Sequence, residues 1–235
     1  MLKIEKLKKQ FGGLVALNGI DLHVPPNHIL GVIGMNGSGK TTMLNCVNGL
    51  YTPTEGRILL QGRDITGLPV EQVARAGVGR TFQVPRVFPH MTLLDNLDVS
   101  QLQKGRSAEE RYQHSVEWLE RVELYRLRHN MAEELSGGQQ KLLELARIMV
   151  SRPKVVLLDE PFAGVNPGLA QLLIAIIKTL PTEHDCSVVL VSHDLTSIYQ
   201  LSHHIIVMNE GAILCQGSAD TVRNDPAVIE AYLGA

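Results

Sequence analysis

The sequence predicts an α/β fold with a mainly parallel sheet covered on both faces and a helical insertion. Two uninterrupted apolar runs, Val155-Val156-Leu157-Leu158 and Ser187-Val188-Val189-Leu190-Val191, read as strands buried on both sides. A third, Ile29-Leu30-Gly31-Val32-Ile33, runs into a glycine-rich loop followed by a helical pattern.

The elements follow in order. Residues 1 to about 33 read as short strands: the Leu14-Val15-Ala16-Leu17 region, then Ile20 to Val24, then Ile29 to Ile33. Lys40 to Asn48 is helical and stops at Gly49, with Pro53 beyond it as a further breaker. Gly56 to Ile65 reads as one more strand. From Val84 to about Met131 the pattern changes to long polar helices, including Ala108 to Leu124 with the chain's one tryptophan, Trp118. The insertion is placed at roughly 84–152. Gly168 to Leu180 reads as a helix between the two buried strands. A hairpin then pairs His204 to Met208 with Ala212 to Gln216 across Asn209-Glu210-Gly211, and a terminal helix is expected from about Ser218, giving a tail of roughly 218–235. With no internal repeat or low-complexity tract, residues 1–235 are read as one domain.

Composition bounds the function classes. Lys+Arg number 22 against 24 Asp+Glu, so a net charge of -2 gives no global reason to bind nucleic acid or anionic lipid, and none is expected as partner. Any polyanion must be held by a local site. Cys46, Cys186 and Cys215 are far apart and form no CxxC pair, which argues against a disulfide framework or zinc and for a cytoplasmic interior. No apolar run approaches the roughly 18 residues that span a bilayer, and Met1 to Glu5 does not open a signal peptide.

The local site is legible. Gly34-Met35-Asn36-Gly37-Ser38-Gly39-Lys40-Thr41 fits G-x-x-x-x-G-K-[ST] after a strand and before a helix. Glycines let N–H groups point inward, the helix start adds its positive end, Lys40 reaches the β and γ phosphates, and the Thr41 hydroxyl can ligate Mg²⁺. Val155 to Leu158 then delivers Asp159 and Glu160 at a strand's carboxyl end, where open α/β sheets place ligands. Asp159 would hold the metal and Glu160 would polarise the attacking water. A second helix start, Leu135-Ser136-Gly137-Gly138-Gln139, offers Ser136 as N-cap and bare N–H groups at Gly137 and Gly138, but has no metal-binding acids of its own.

Taken with a later Ser192-His193-Asp194, these motifs resemble, over nearly the whole chain, the nucleotide-binding subunits of ATP-binding cassette transporters. The resemblance implies a RecA-like P-loop NTPase core, an N-terminal antiparallel β subdomain and an inserted α-helical subdomain. It implies ATP bound by Gly34, Asn36, Gly37, Ser38, Gly39, Lys40, Thr41 and Thr42 of one subunit and capped by Ser136, Gly137, Gly138 and Gln139 of another, in a head-to-tail dimer. It also implies that Gln83 joins Mg²⁺ and the attacking water, that His193 contacts the γ-phosphate, and that Phe11 stacks on adenine. Asn166 stands where most members carry aspartate. Ala163-Gly-Val-Asn-Pro167, Phe11 to Leu17, Ala76 to Gln83 and the tail Val222 to Gly234 look like the subgroup serving branched-chain amino acid uptake, with urea or amide importers close by. The implied partners are an identical or homologous ATPase subunit, integral-membrane permease subunits and, indirectly, a substrate-binding protein. Location would be the inner membrane face, through the permease.

In that family, the stretch holding Val84, Val87, Phe88, Met91, Leu93 and Leu94 borders the groove that receives a permease helix. Charge at Phe88 or Met91 is expected to uncouple transport. A guanine-nucleotide switch is disfavoured because Asn-Lys-x-Asp is absent, and a repair or translation ATPase because neither a tandem cassette nor a long coiled-coil insertion is present.

Overall fold

The computed structural model describes residues 1–102 and 105–233. Among these, six strands form one sheet in the order β10-β9-β3-β8-β7-β6, and four form a second in the order β2-β1-β4-β5. The first sheet comprises β3 (Ile29–Ile33), β6 (Val78–Arg80), β7 (Val155–Asp159), β8 (Ser187–Val191), β9 (His204–Asn209) and β10 (Ala212–Gly217). Its pairings are parallel except for the closing β9/β10 hairpin.

Every residue of β3, β7 and β8 is buried, as a sheet covered on both faces requires. Their side chains alternate between two cores. Ile29, Ile33, Val156, Leu158, Val188 and Leu190 pack with α5 (Gly137–Met149) and α6 (Pro167–Glu183). Leu30, Val32, Val155, Leu157, Val189 and Val191 pack with β1 (Leu2–Phe11) and α1 (Lys40–Val47). Each such side chain contributes about 1.5–3 kcal/mol, so the period-2 alternation locks the register. That register sets Asp159 beside Val191 and Ile29 beside Val188, so Gly34, Glu160 and His193 all leave the sheet at the carboxyl ends of its strands.

The second sheet is antiparallel, built from β1, β2 (Leu14–Val24), β4 (Glu55–Leu60) and β5 (Arg63–Asp64). The single strand expected over Gly56 to Ile65 is instead a hairpin. Gln61 and Gly62 both have positive φ, 51° and 81°, the turn that matches strand twist. Three elements have no forerunner in the sequence reading: α2 (Val70–Ala76), stopped by Gly77, the three-residue edge strand β6, and α7 (Leu195–Leu201), capped by Asp194.

Between β6 and β7 the chain carries α3 (Leu93–Val99), capped by Thr92, and α4 (Ala108–Arg121), opened by a Ser107–Glu110 capping box. Trp118 is buried against His184, 4.9 Å between ring centroids. α4 ends before Leu124 because Glu123 turns to φ 57°. Beyond α7 (Leu195–Leu201) and the hairpin, the expected terminal helix is two, α8 (Ala219–Arg223) and α9 (Pro226–Leu233). Pro226 forces the break, since it has no N–H to donate and excludes Asp225 from helical geometry. Residues 103–104 of the expected insertion and 234–235 of the expected tail lie outside the described residues. No helix among the described residues is long and apolar enough to cross a membrane.

Candidate active site

The loop between β3 and α1 wraps because its glycines adopt conformations closed to other residues. Gly34 has φ 150° and Gly39 φ 101°; a Cβ on Gly34 would lie 2.2 Å from the Met208 carbonyl, and one on Gly39 2.8 Å from that of Ala16. Gly39 leads into α1, whose first N–H groups have no intrahelical acceptor, the chemistry that suits a helix start to an anion. Lys40 is buried and folds back, donating to the carbonyls of Gly34 at 2.6 Å and Met35 at 2.8 Å. Burial pulls its pKa down, opposed by the charges of Glu160 and Asp159.

One cleft of about 930 Å³ brings together Phe11, Gly34, Asn36, Gly37, Gly39, Lys40, Thr41, Thr42, Gln83, Asp159, Glu160 and His193. Phe11, 41% exposed at the end of β1, stands edge-on to Tyr51 with Lys9 Nζ 4.8 Å from its ring centroid, so it is not a core phenylalanine. Ser38 does not line the cleft; it is buried beneath the loop, its Oγ 3.4 Å from Lys40 Nζ.

The acids are held differently. Asp159 pairs with Arg80, Nη2 to Oδ2 at 3.2 Å, both side chains nearly buried. Arg80 also donates to Asn45 Oδ1 at 2.6 Å, and Thr81 Oγ1 accepts the Asp159 N–H. Glu160, in the left-handed region at φ 50°, offers Oε2 to His193 Nδ1 at 2.7 Å. The oxygens of Thr41, Gln83 and Asp159 are hard donors of the kind Mg²⁺ takes. Among the described residues no cluster of three His, Cys, Asp or Glu could hold a metal.

Ser136, Gly137, Gly138 and Gln139 lie elsewhere. Ser136 caps α5 in a box with Gln139, and both line a separate hollow with Asn166, Gly168 and Leu169. A Cβ on Gly137 would meet nothing within 4 Å. Asn166 caps α6 by accepting the Leu169 N–H at 3.0 Å, a role aspartate would fill equally.

Four site neighbours escaped the sequence reading. Arg80 and Thr81 were passed over as the prelude to Gln83. Lys141 donates to the carbonyls of Glu160 and Ala163, and Glu144 accepts the N–H groups of Phe82 and Arg86. Both are charged yet buried on the α5 face shared with Leu142 and Leu145, and nothing local in the sequence marks their partners.

Comparison with known proteins places this geometry. The ABC transporter family profile matches residues 17–163, and that of the branched-chain amino acid ATP-binding cassette transporter matches residues 212–235. Over its full length the chain is 42% identical to the high-affinity branched-chain amino acid transport ATP-binding protein BraF of Pseudomonas aeruginosa and 40% identical to LivG of Escherichia coli, covering 98% of each. It superposes on a nucleotide-free ATP-binding cassette from an ABC transporter with a TM-score of 0.89 at 32% identity, covering 100% of this chain and 99% of the other. A dimeric cassette in a post-hydrolysis state bound to ADP and Pi gives 0.84 at 26% identity, covering 93% and 99%. The chain belongs to the ABC transporter family, as an ATP-hydrolysing ATP-binding cassette subunit of the group that includes BraF and LivG.

Proposed function

We propose that the chain hydrolyses Mg-ATP in a head-to-tail pair and thereby drives uptake of branched-chain amino acids through separate permease subunits. The relatives' transport of those amino acids supports the substrate. What carries the pairing is one observation: the Ser136-led start of α5 lines a different hollow from the Lys40 cleft. A second copy or a homologous subunit would bring its own serine-led tip to the γ-phosphate. The chain would work at the cytoplasmic membrane face, fed indirectly by a substrate-binding protein, with residues 84–152 as helical subdomain and 218–235 as tail.

In the reaction, Gly34 to Thr42 bind the phosphates through N–H groups and Lys40, and Phe11 stacks on adenine. Glu160 accepts a proton from water as its oxygen bonds the γ-phosphorus and the bond to ADP breaks. His193 holds Glu160 and meets the γ-phosphate. Thr41, Gln83 and Asp159 would hold Mg²⁺, which when bound would neutralise charge at the phosphates. The test is Glu160→Gln: ATP affinity retained, turnover lost, and an ATP-dependent dimer on size-exclusion chromatography. A dimer that forms equally without ATP would refute the shared site.

A further inference from the structure

The loop that carries Gln83 is irregular, and prolines at 85 and 89 deny it two backbone donors. Within it, the N–H of Phe82 donates to Glu144 Oε2 at 3.3 Å and that of Arg86 to Glu144 Oε1 at 2.8 Å. The two oxygens of one carboxylate thus hold the backbone on both sides of Gln83, whose own side chain is exposed in the cleft. Arg147, one turn further along α5, donates to the Arg86 carbonyl.

Glu144 is 3% exposed and lies on a helix otherwise buried through Leu142, Leu143, Leu145 and Ala146. Placing a carboxylate there costs desolvation that a leucine would not incur. The cost is offset by two main-chain hydrogen bonds, both spent on the Gln83 loop. We propose that Glu144 is a positioning residue for ATP hydrolysis, fixing Gln83 by gripping the amides that bracket it. Because Ser136 caps α5, the same helix ties the serine-led tip to the chain's own metal-side loop. The inference rests on the reading that Gln83 serves Mg²⁺ and the attacking water.

The experiment compares Glu144→Gln, Glu144→Leu, Gln83→Ala and Glu144→Gln/Gln83→Ala in the full chain, purified with the subunits it assembles with. Turnover, ATP affinity and the Mg²⁺ concentration for half-maximal turnover are measured. Glu144→Gln keeps the shape but sets an NH₂ against an N–H; Glu144→Leu keeps the packing without acceptors. Both are expected to lower kcat about tenfold or more, as small misplacements do, with ATP affinity unchanged and the Mg²⁺ requirement raised. The double variant should be no slower than the slower single one. Wild-type turnover in Glu144→Leu, or losses that multiply in the double variant, would overturn the proposal. Full turnover in Gln83→Ala would instead overturn the reading of Gln83 beneath it.

Discussion

His193 Nδ1 stands 2.7 Å from Glu160 Oε2, and that same oxygen takes the His193 main-chain N–H at 3.3 Å and the Ser192 hydroxyl at 3.4 Å. Three donors from the turn after β8 therefore aim one carboxylate oxygen delivered by β7.

His193→Ala removes one of the three and leaves the others. Turnover should fall about tenfold to a hundredfold while ATP binding is kept, because orientation is lost rather than the base itself. Glu160→Gln should fall further, by about 10²–10⁴-fold. Steady-state turnover with parallel equilibrium nucleotide binding checks both, and equal losses in the two variants would give His193 the weight assigned here to the base.

The two glycine-bearing helix starts should respond in opposite ways. Gly39→Ala forces a Cβ within 3.0 Å of Leu17 Cδ2 and 2.8 Å of the Ala16 carbonyl at a φ of 101°, so both stability and nucleotide affinity should drop. Gly137→Asp meets open space, and an acid in the first turn of α5 favours the helix by about 0.3–1 kcal/mol. Its melting temperature and its affinity for ATP at the Lys40 cleft should hold, while turnover fails because the carboxylate repels a partner's γ-phosphate. Undiminished hydrolysis in Gly137→Asp would mean that this helix tip meets no phosphate.

The parallel sheet and the phosphate loop were legible because each rests on local chemistry: unbroken apolar runs at β3, β7 and β8, and glycine spacing that only a wrapped loop needs. The Gln61-Gly62 turn was not, because glutamine at positive φ is not a turn signal; the pairing of β4 with β5, Leu60 against Arg63, imposes it. Arg80 and Glu144 were invisible for a different reason. Their partners, Asp159 and the amides of Phe82 and Arg86, lie 79, 62 and 58 residues away. Long-range pairing of a buried charge leaves no trace in local periodicity.

Burial raises the Glu144 carboxyl to about 7, against a model-peptide value near 4.5. The folded chain therefore holds this proton more tightly than the unfolded chain, and between pH 4.5 and 7 the group's contribution makes stability fall as pH rises. The shift corresponds to about 3 kcal/mol over that window. Chemical denaturation at pH 5 and pH 7.5 should show the wild type losing stability relative to Glu144→Gln across the interval. A constant difference between the two proteins at both pH values would contradict it.

The surface after Gln83 can be divided into parts that pack and parts that face outward. Leu93 is fully buried and Val87 and Leu94 lie against the core, whereas Val84 is 76% and Phe88 43% exposed, Phe88 under the Arg147 guanidinium. Met91 is half-buried where Val84 stands in solvent, so Val84 is the cleaner probe of an outside contact. If a permease element seats on this face, Val84→Asp places an unpaired charge in the contact, while on the free chain it is a surface change within about 0.5 kcal/mol of neutral. Transport in membranes should drop and ATP turnover of the purified chain should stay at the wild-type rate. Leu93→Asp serves as the contrast, losing stability and both activities together. Wild-type transport in Val84→Asp and Phe88→Asp alike would move the docking face elsewhere on the molecule.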